Sequence, residues 1–110
     1  MSDEIYNPLS AIKDGLILPF VRNARKKGYS EKEITEAAII GIEKNIKSYE
    51  GLIETANQRI KKYSSTRNID NTLSNMVHEY QGWVEDAEKA LGSLNEGYKI
   101  VYKSETINPL

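Results

Sequence analysis

From Ile39 onward the chain sets apolar and polar residues in a single repeating order. Ile39, Ile42, Ile46, Tyr49, Ile53, Ala56, Ile60 and Tyr63 follow one another at spacings that alternate between 3 and 4 residues. This is the heptad seam of a helix that packs along one line. Glu43, Lys44, Lys47, Glu50, Glu54, Arg59 and Lys61 fill the positions between, so the remaining faces of that helix are wet. Its start is marked by Ser30 with Glu33, the pattern of a capping box that satisfies free amides in a first turn. Gly28, just before, suits the end of a preceding helix. The spacing predicts a helix over 30–63.

A second seam follows the short polar stretch SSTRN at Ser64 to Asn68, a length that joins two antiparallel neighbouring helices. Ile69, Leu73, Met76, Tyr80, Trp83, Ala87, Ala90 and Leu94 again alternate spacings of 4 and 3. The two seams face each other in a helical hairpin. A further column, Val77, Val84, Leu91 and Tyr98, runs beside the second seam at intervals of seven and widens the apolar face of this helix beyond a two-helix contact. A helix over 69–102 makes a rod roughly 50 Å long.

The first segment is expected to cover that extra face. Asn7 before Pro8 is a helix start, and Leu9, Ile12, Leu16, Phe20 and Ala24 recur at helical spacing. Pro19 lies inside the pattern, lacks an amide and clashes with the preceding turn, which predicts a kink or break near Leu18. The covering helix, about 7–27, is therefore shorter than the rod, and part of the apolar surface is left for a partner. At the other end Gly92 and Gly97 weaken helix and YKIVY at Tyr98 to Tyr102 favours strand. Continued helix is the expectation there, since a lone strand needs an intermolecular partner, with 103–110 as a frayed tail. The fold class is all-α: a long antiparallel hairpin with coiled-coil-like seams and a proline-interrupted N-terminal helix. It resembles a three-helix bundle that a second copy can complete.

Composition narrows the function classes. The 110 residues suit one domain with a core of its own. With no cysteine there is no disulfide framework, thiolate metal site or cysteine nucleophile. The longest apolar run, Leu16 to Val21, is far below the roughly 18 residues a membrane span needs, and the acidic start MSDEIYNP lacks the basic region of a signal peptide. The expectation is a cytoplasmic protein without a membrane role. A net charge of -1 is not the balance of a protein built to live on phosphate backbones.

One local cluster runs against that balance. Arg22, Arg25, Lys26 and Lys27 lie in four of six consecutive positions. At a helix C-terminus, cations are favoured by the free carbonyls, and Glu31, Glu33 and Glu36 open the next helix nearby. Mutual neutralisation is the simple account. The alternative is phosphate contact by this cluster together with Arg59, Lys62 and Arg67 at the hairpin turn, which makes the protein a nucleic-acid binder. Aromatic stacking or a recognition helix with polar side chains is not evident beside either group.

Catalytic and metal-binding patterns are sparse. HEYQG at His78 to Gly82 begins like a zinc-protease helix, but Gly82 stands where the second histidine is required. His78 falls opposite the seam, as a surface residue. Glu85, Asp86 and Glu88 lie on the wet flank without a histidine to complete a bundle-core metal site. No phosphate-cradling glycine loop or nucleophile elbow occurs. The expectation is a protein that is not an enzyme and uses no cofactor or metal.

Seven tyrosines and one tryptophan carry the remaining signal. Tyr49, Tyr63, Tyr80 and Trp83 fall on the seams, where core packing explains them. Tyr6, Tyr29, Tyr98 and Tyr102 lie near segment ends. Aromatic side chains anchor protein interfaces, so Tyr80, Trp83, Val84, Leu91 and Tyr98 form the candidate partner surface. The function this supports is a non-enzymatic protein–protein interaction module, such as a small adaptor, inhibitor or assembly factor, binding another protein or itself as a homo-oligomer.

Overall fold

The computed structural model describes residues 7–63 and 67–110, apart from the side chains of 67–70. Residues 64–66 of the expected connection, Tyr6, and the side chains of Arg67, Asn68 and Ile69 lie outside what is described, while the backbone of 67–68 is already helical. Among the described residues four helices and one hairpin follow in order: α1 (Pro8–Lys13), α2 (Phe20–Lys26), α3 (Glu31–Lys62), α4 (Arg67–Asn95), β1 (Ile100–Tyr102) and β2 (Glu105–Ile107). The chain is mostly helical, with the long pair α3 and α4 packed together.

Local chemistry sets the boundaries. Asn7 accepts a hydrogen bond from the Leu9 amide at 2.9 Å, and Pro8 occupies the first turn of α1. Ser30 and Glu33 form both halves of the capping box that opens α3, with the Glu33 amide donating to Ser30 Oγ at 3.1 Å and the Ser30 amide to Glu33 Oε1 at 3.2 Å. Gly28 takes φ +93° where the chain leaves α2, a left-handed conformation in which a Cβ is costly.

Three expectations are corrected. The break expected near Leu18 within the N-terminal helix over 7–27 is wider than a kink: Asp14 to Pro19 is not helical, Gly15 turns the chain at φ +101°, and the segment forms two short helices. The helix over 69–102 stops at Asn95, where Gly97 at φ +92° ends it. The tail is not frayed, and it adds a small hairpin to the helical fold: β1 finds its partner within the chain, pairing antiparallel with β2 in the register Ile100 to Ile107, Val101 to Thr106 and Tyr102 to Glu105. Ile107 is 1% and Tyr102 7% exposed, so burial of these two side chains holds the hairpin down.

The core lies at one end of the helix pair. Ile12 and Ile17 from the N-terminal segment, Ile34 and Ile42 from α3, Ala87 and Leu94 from α4, and Tyr102 and Ile107 from the hairpin meet there. α1 packs chiefly on α3, while β1 packs on α4, so the N-terminal helices do not cover the extra face of α4 as expected. Toward the far end of the pair only Ala56 and Leu73 are buried among the described residues, and Leu52 and Tyr63 stand exposed. The result is a head with a two-helix arm. Its radius of gyration, 17.0 Å, exceeds the roughly 13 Å of a compact chain of this length. No helix among the described residues is long and apolar enough to cross a membrane.

Candidate functional site

Where the arm meets the head, β1, the flank of α4 and Tyr49 of α3 line an open groove of about 860 Å³. Trp83, Asp86, Lys89 and Ser93 line it from α4, Tyr49 from α3, and Ile100 to Lys103 from the hairpin. Helical spacing explains the α4 wall: positions 83, 86, 90 and 93 recur at three and four residues and share one flank. Tyr49 arrives from α3 because its seam position faces Trp83 across the helix pair.

The rings form a connected set. The Trp83 centroid lies 5.3 Å from that of Tyr49 and 5.2 Å from that of Tyr80, both tilted, within the range where aromatic pairs attract. Lys103 reaches into this set from the hairpin turn. Its Nζ donates to Tyr49 Oη at 2.9 Å and lies 5.7 Å and 5.8 Å from the Tyr49 and Tyr102 ring centroids, a cation–π position. Behind the groove, buried Asn45 donates from Nδ2 to the Gly15 carbonyl at 3.1 Å and, at 3.5 Å, to Tyr102 Oη. Burial pushes the Tyr102 hydroxyl pKa above its ordinary value, and the Asn45 hydrogen bond opposes that rise.

The predicted partner surface divides. Tyr80 and Trp83 are in ring contact, and Trp83 is 38% exposed in the groove. Val84, about 100° round the helix, lines a second, shallower groove with Glu50, Ile53, Gln81 and Glu85. Leu91 packs half-buried against the core, and Tyr98 is 63% exposed beyond the end of α4. These five residues do not make one patch. Val101, Tyr102, Lys103 and Asn45 were missed as site residues, although the apolar positions 100, 102 and 107 around the turn carry a weak alternating signal.

The basic cluster is largely engaged within the chain. Arg25 grips Glu31 through Nε and Nη2, the two closest contacts being 3.0 Å, and Nη2 also donates to the Thr106 carbonyl at 2.7 Å. That hydrogen-bonded pair lowers the Glu31 carboxyl pKa and raises that of Arg25. Arg22 Nε lies 2.7 Å from Oε1 of Glu105, whose side chain is 4% exposed. The N–H is not aimed along this contact, so Oε1 has an ion-pair neighbour but no aligned hydrogen bond. Lys26 and Lys27 are exposed, as are Arg59 and Lys62 at the far end of α3, about 40 Å of helix away. Among the described residues His78, Glu85 and Glu88 are exposed, and no group of His, Asp and Glu side chains converges as a metal site would require. Set against protein-family models, curated proteins and solved structures, the chain matches none of them.

Proposed function

We propose that this protein is a non-enzymatic protein-binding module, an adaptor, inhibitor or assembly factor that seats a segment of another protein in the groove between β1 and α4. One observation carries the reading: Trp83 stays 38% exposed in an open groove instead of closing into the core. Tryptophan and tyrosine are enriched among the residues that carry the binding energy of protein interfaces. The polar members, Asp86, Lys89 and Lys103, flank the rings as polar groups that fix orientation do.

The test is affinity capture with the full chain and its Trp83→Ala variant, followed by a binding constant for each captured protein after purification. Because Trp83 is not fully buried, the variant is expected to keep its helical circular dichroism while losing at least tenfold in affinity. A folded variant that captures and binds the same proteins as the parent would end this reading.

Self-association belongs to the same proposal, through the coiled-coil-like pair itself. Its support is the arm, where Ile53, Val77 and Val84 are only half-buried and a second copy would supply the missing layer. The alternative, nucleic-acid binding by Arg22–Lys27 and Arg59–Arg67, is weaker, because Arg22 and Arg25 already hold internal partners. It predicts binding to duplex DNA that falls steeply with salt.

A further inference from the structure

β1 is an edge strand whose outward hydrogen-bonding groups are open. In a two-residue hairpin closed by Tyr102 and Glu105, facing pairs alternate between those that exchange both backbone bonds and those that exchange none. The register therefore makes Tyr102–Glu105 and Ile100–Ile107 the bonded pairs and Val101–Thr106 the unbonded one. The amide and carbonyl of Val101 and of Thr106 point away from the ladder. On β2 the outward carbonyl is occupied, since Arg25 donates to it at 2.7 Å. On β1 it is not: among the described residues the Val101 backbone has no intramolecular partner outside the ladder, and its side chain is 73% exposed.

We infer that β1 accepts an extended segment of a partner protein as a third strand, with the Val101 amide and carbonyl bonding its backbone and with apolar and acidic side chains alternating along it. This rests on the protein-binding reading and names the form the partner takes. A free strand edge beside an apolar groove is the geometry of strand addition, where backbone bonds hold the peptide and pockets select alternate side chains. The aromatic set of Tyr49 and Trp83 receives the apolar side chains. Charge selects the others: Lys99, two residues before Val101, shares its face of the strand, and Lys89 and Lys103 outnumber Asp86 among the charged residues of the groove.

The same charges argue against a second copy in this place. Antiparallel pairing two-fold about Val101 would set Lys99 of each copy against Lys103 of the other, twice. Like charges directly opposed across a strand pair are unfavourable. A foreign strand with acidic residues at those positions reverses the sign.

The probe is a phage library of random linear heptapeptides panned on the full chain, with the enriched sequence then made as a labelled peptide for anisotropy titration. Three variants are titrated. Val101→Pro removes the outward amide without touching the ladder, a change edge strands tolerate. Val101→Thr keeps the amide, and Trp83→Ala removes the anchor. The inference expects peptides that alternate apolar with acidic residues, an affinity loss of tenfold or more for Val101→Pro, and a change within threefold for Val101→Thr. It also expects the Val101 amide of the parent to exchange hydrogen at least tenfold more slowly when the peptide is bound.

Undiminished binding by Val101→Pro, with loss in Trp83→Ala, would overturn strand addition and leave the groove reading standing. If Val101→Pro does not fold, unchanged Val101 exchange in the parent on peptide binding would overturn strand addition in the same way. No enriched peptide would overturn both readings. A free protein of dimer mass that becomes a monomer in Val101→Pro would assign the edge to a second copy and overturn the foreign strand.

Discussion

Gly41 in α3 faces the carbonyl oxygen of Ile12 so closely that a Cβ at residue 41 would fall on that oxygen and within 3.3 Å of Ile17 Cδ1. The absent side chain is what lets α1 seat on α3. Gly51, further along the same helix, has nothing within 4 Å of where a Cβ would stand. The two glycines therefore respond oppositely to alanine. Gly41→Ala is expected to lose about 1–3 kcal/mol by overpacking, outweighing its gain in helix propensity. Gly51→Ala is expected to gain about 0.8–1 kcal/mol from propensity alone. Urea denaturation of both variants checks the pair.

The ion pair of Arg22 and Glu105 joins α2 to β2, and the two ends are unequal: the Arg22 side chain is 61% exposed and that of Glu105 4%. Arg22→Ala takes the contacting cation from a buried carboxylate that also feels the charge of Arg25, and is expected to cost about 1–3 kcal/mol, short of a fully buried pair because water reaches the arginine side. Arg22→Ala combined with Glu105→Gln is expected to recover at least half of that loss. Urea midpoints of the parent and both variants decide it. A double variant no more stable than Arg22→Ala would place the cost elsewhere.

Among the described residues, Glu31 and Tyr102 act on the acid and alkaline limbs of the pH profile. The Glu31 carboxyl is lowered mainly by its hydrogen bonds to Arg25, so it stabilises the fold above the ordinary carboxylate range, near pH 4.3, and that contribution is lost as pH falls through the lower folded value. Glu31→Gln is expected to flatten the acid limb, by no more than about 1 kcal/mol for so exposed a pair. Tyr102 has the opposite sign. Burial raises it, so its contribution is complete below the ordinary tyrosine range near pH 10 and is lost as pH rises through the folded value. Tyr102→Phe is expected to flatten the alkaline limb, read from thermal midpoints between about pH 8 and 11.

The hairpin turn carries a local cost. Lys103 and Ser104 have φ +49° and +66°, the left-handed region that a two-residue hairpin turn requires and that glycine and asparagine fill best. Ser104→Gly is expected to stabilise the protein by roughly 1 kcal/mol by relieving that strain, with groove binding unchanged because Ser104 does not line it. Thermal melts and a peptide titration check the two halves. No gain in stability would mean that the turn is held without strain.

The sequence by itself determined the elements whose causes lie within a few residues. Ser30 and Glu33 announce the start of α3, Asn7 and Pro8 that of α1, and Gly28 the end of α2, because capping and left-handed turns are short-range chemistry. Pro19 marked the interruption of the first segment, since the lost amide acts on its own turn. The alternation of 3 and 4 residues marked the long helix pair because one period held across so many turns.

Tertiary structure alone decided the rest. YKIVY showed the strand tendency of β1, but its partner was hidden, because Lys103 and Ser104 are not the glycine or asparagine that mark a two-residue hairpin turn and a three-residue strand has little periodicity to show. What stabilises them is the docking of Tyr102 and Ile107 in the core and the reach of Arg22 and Arg25 across some eighty residues of chain, contacts no local pattern encodes. The same is true of the groove: whether Trp83 is sealed or open depends on where the hairpin docks along α4. The sequence supplied the aromatic side chains, and the placement of the hairpin left Trp83 accessible, because a seam residue is buried only where a third layer covers it.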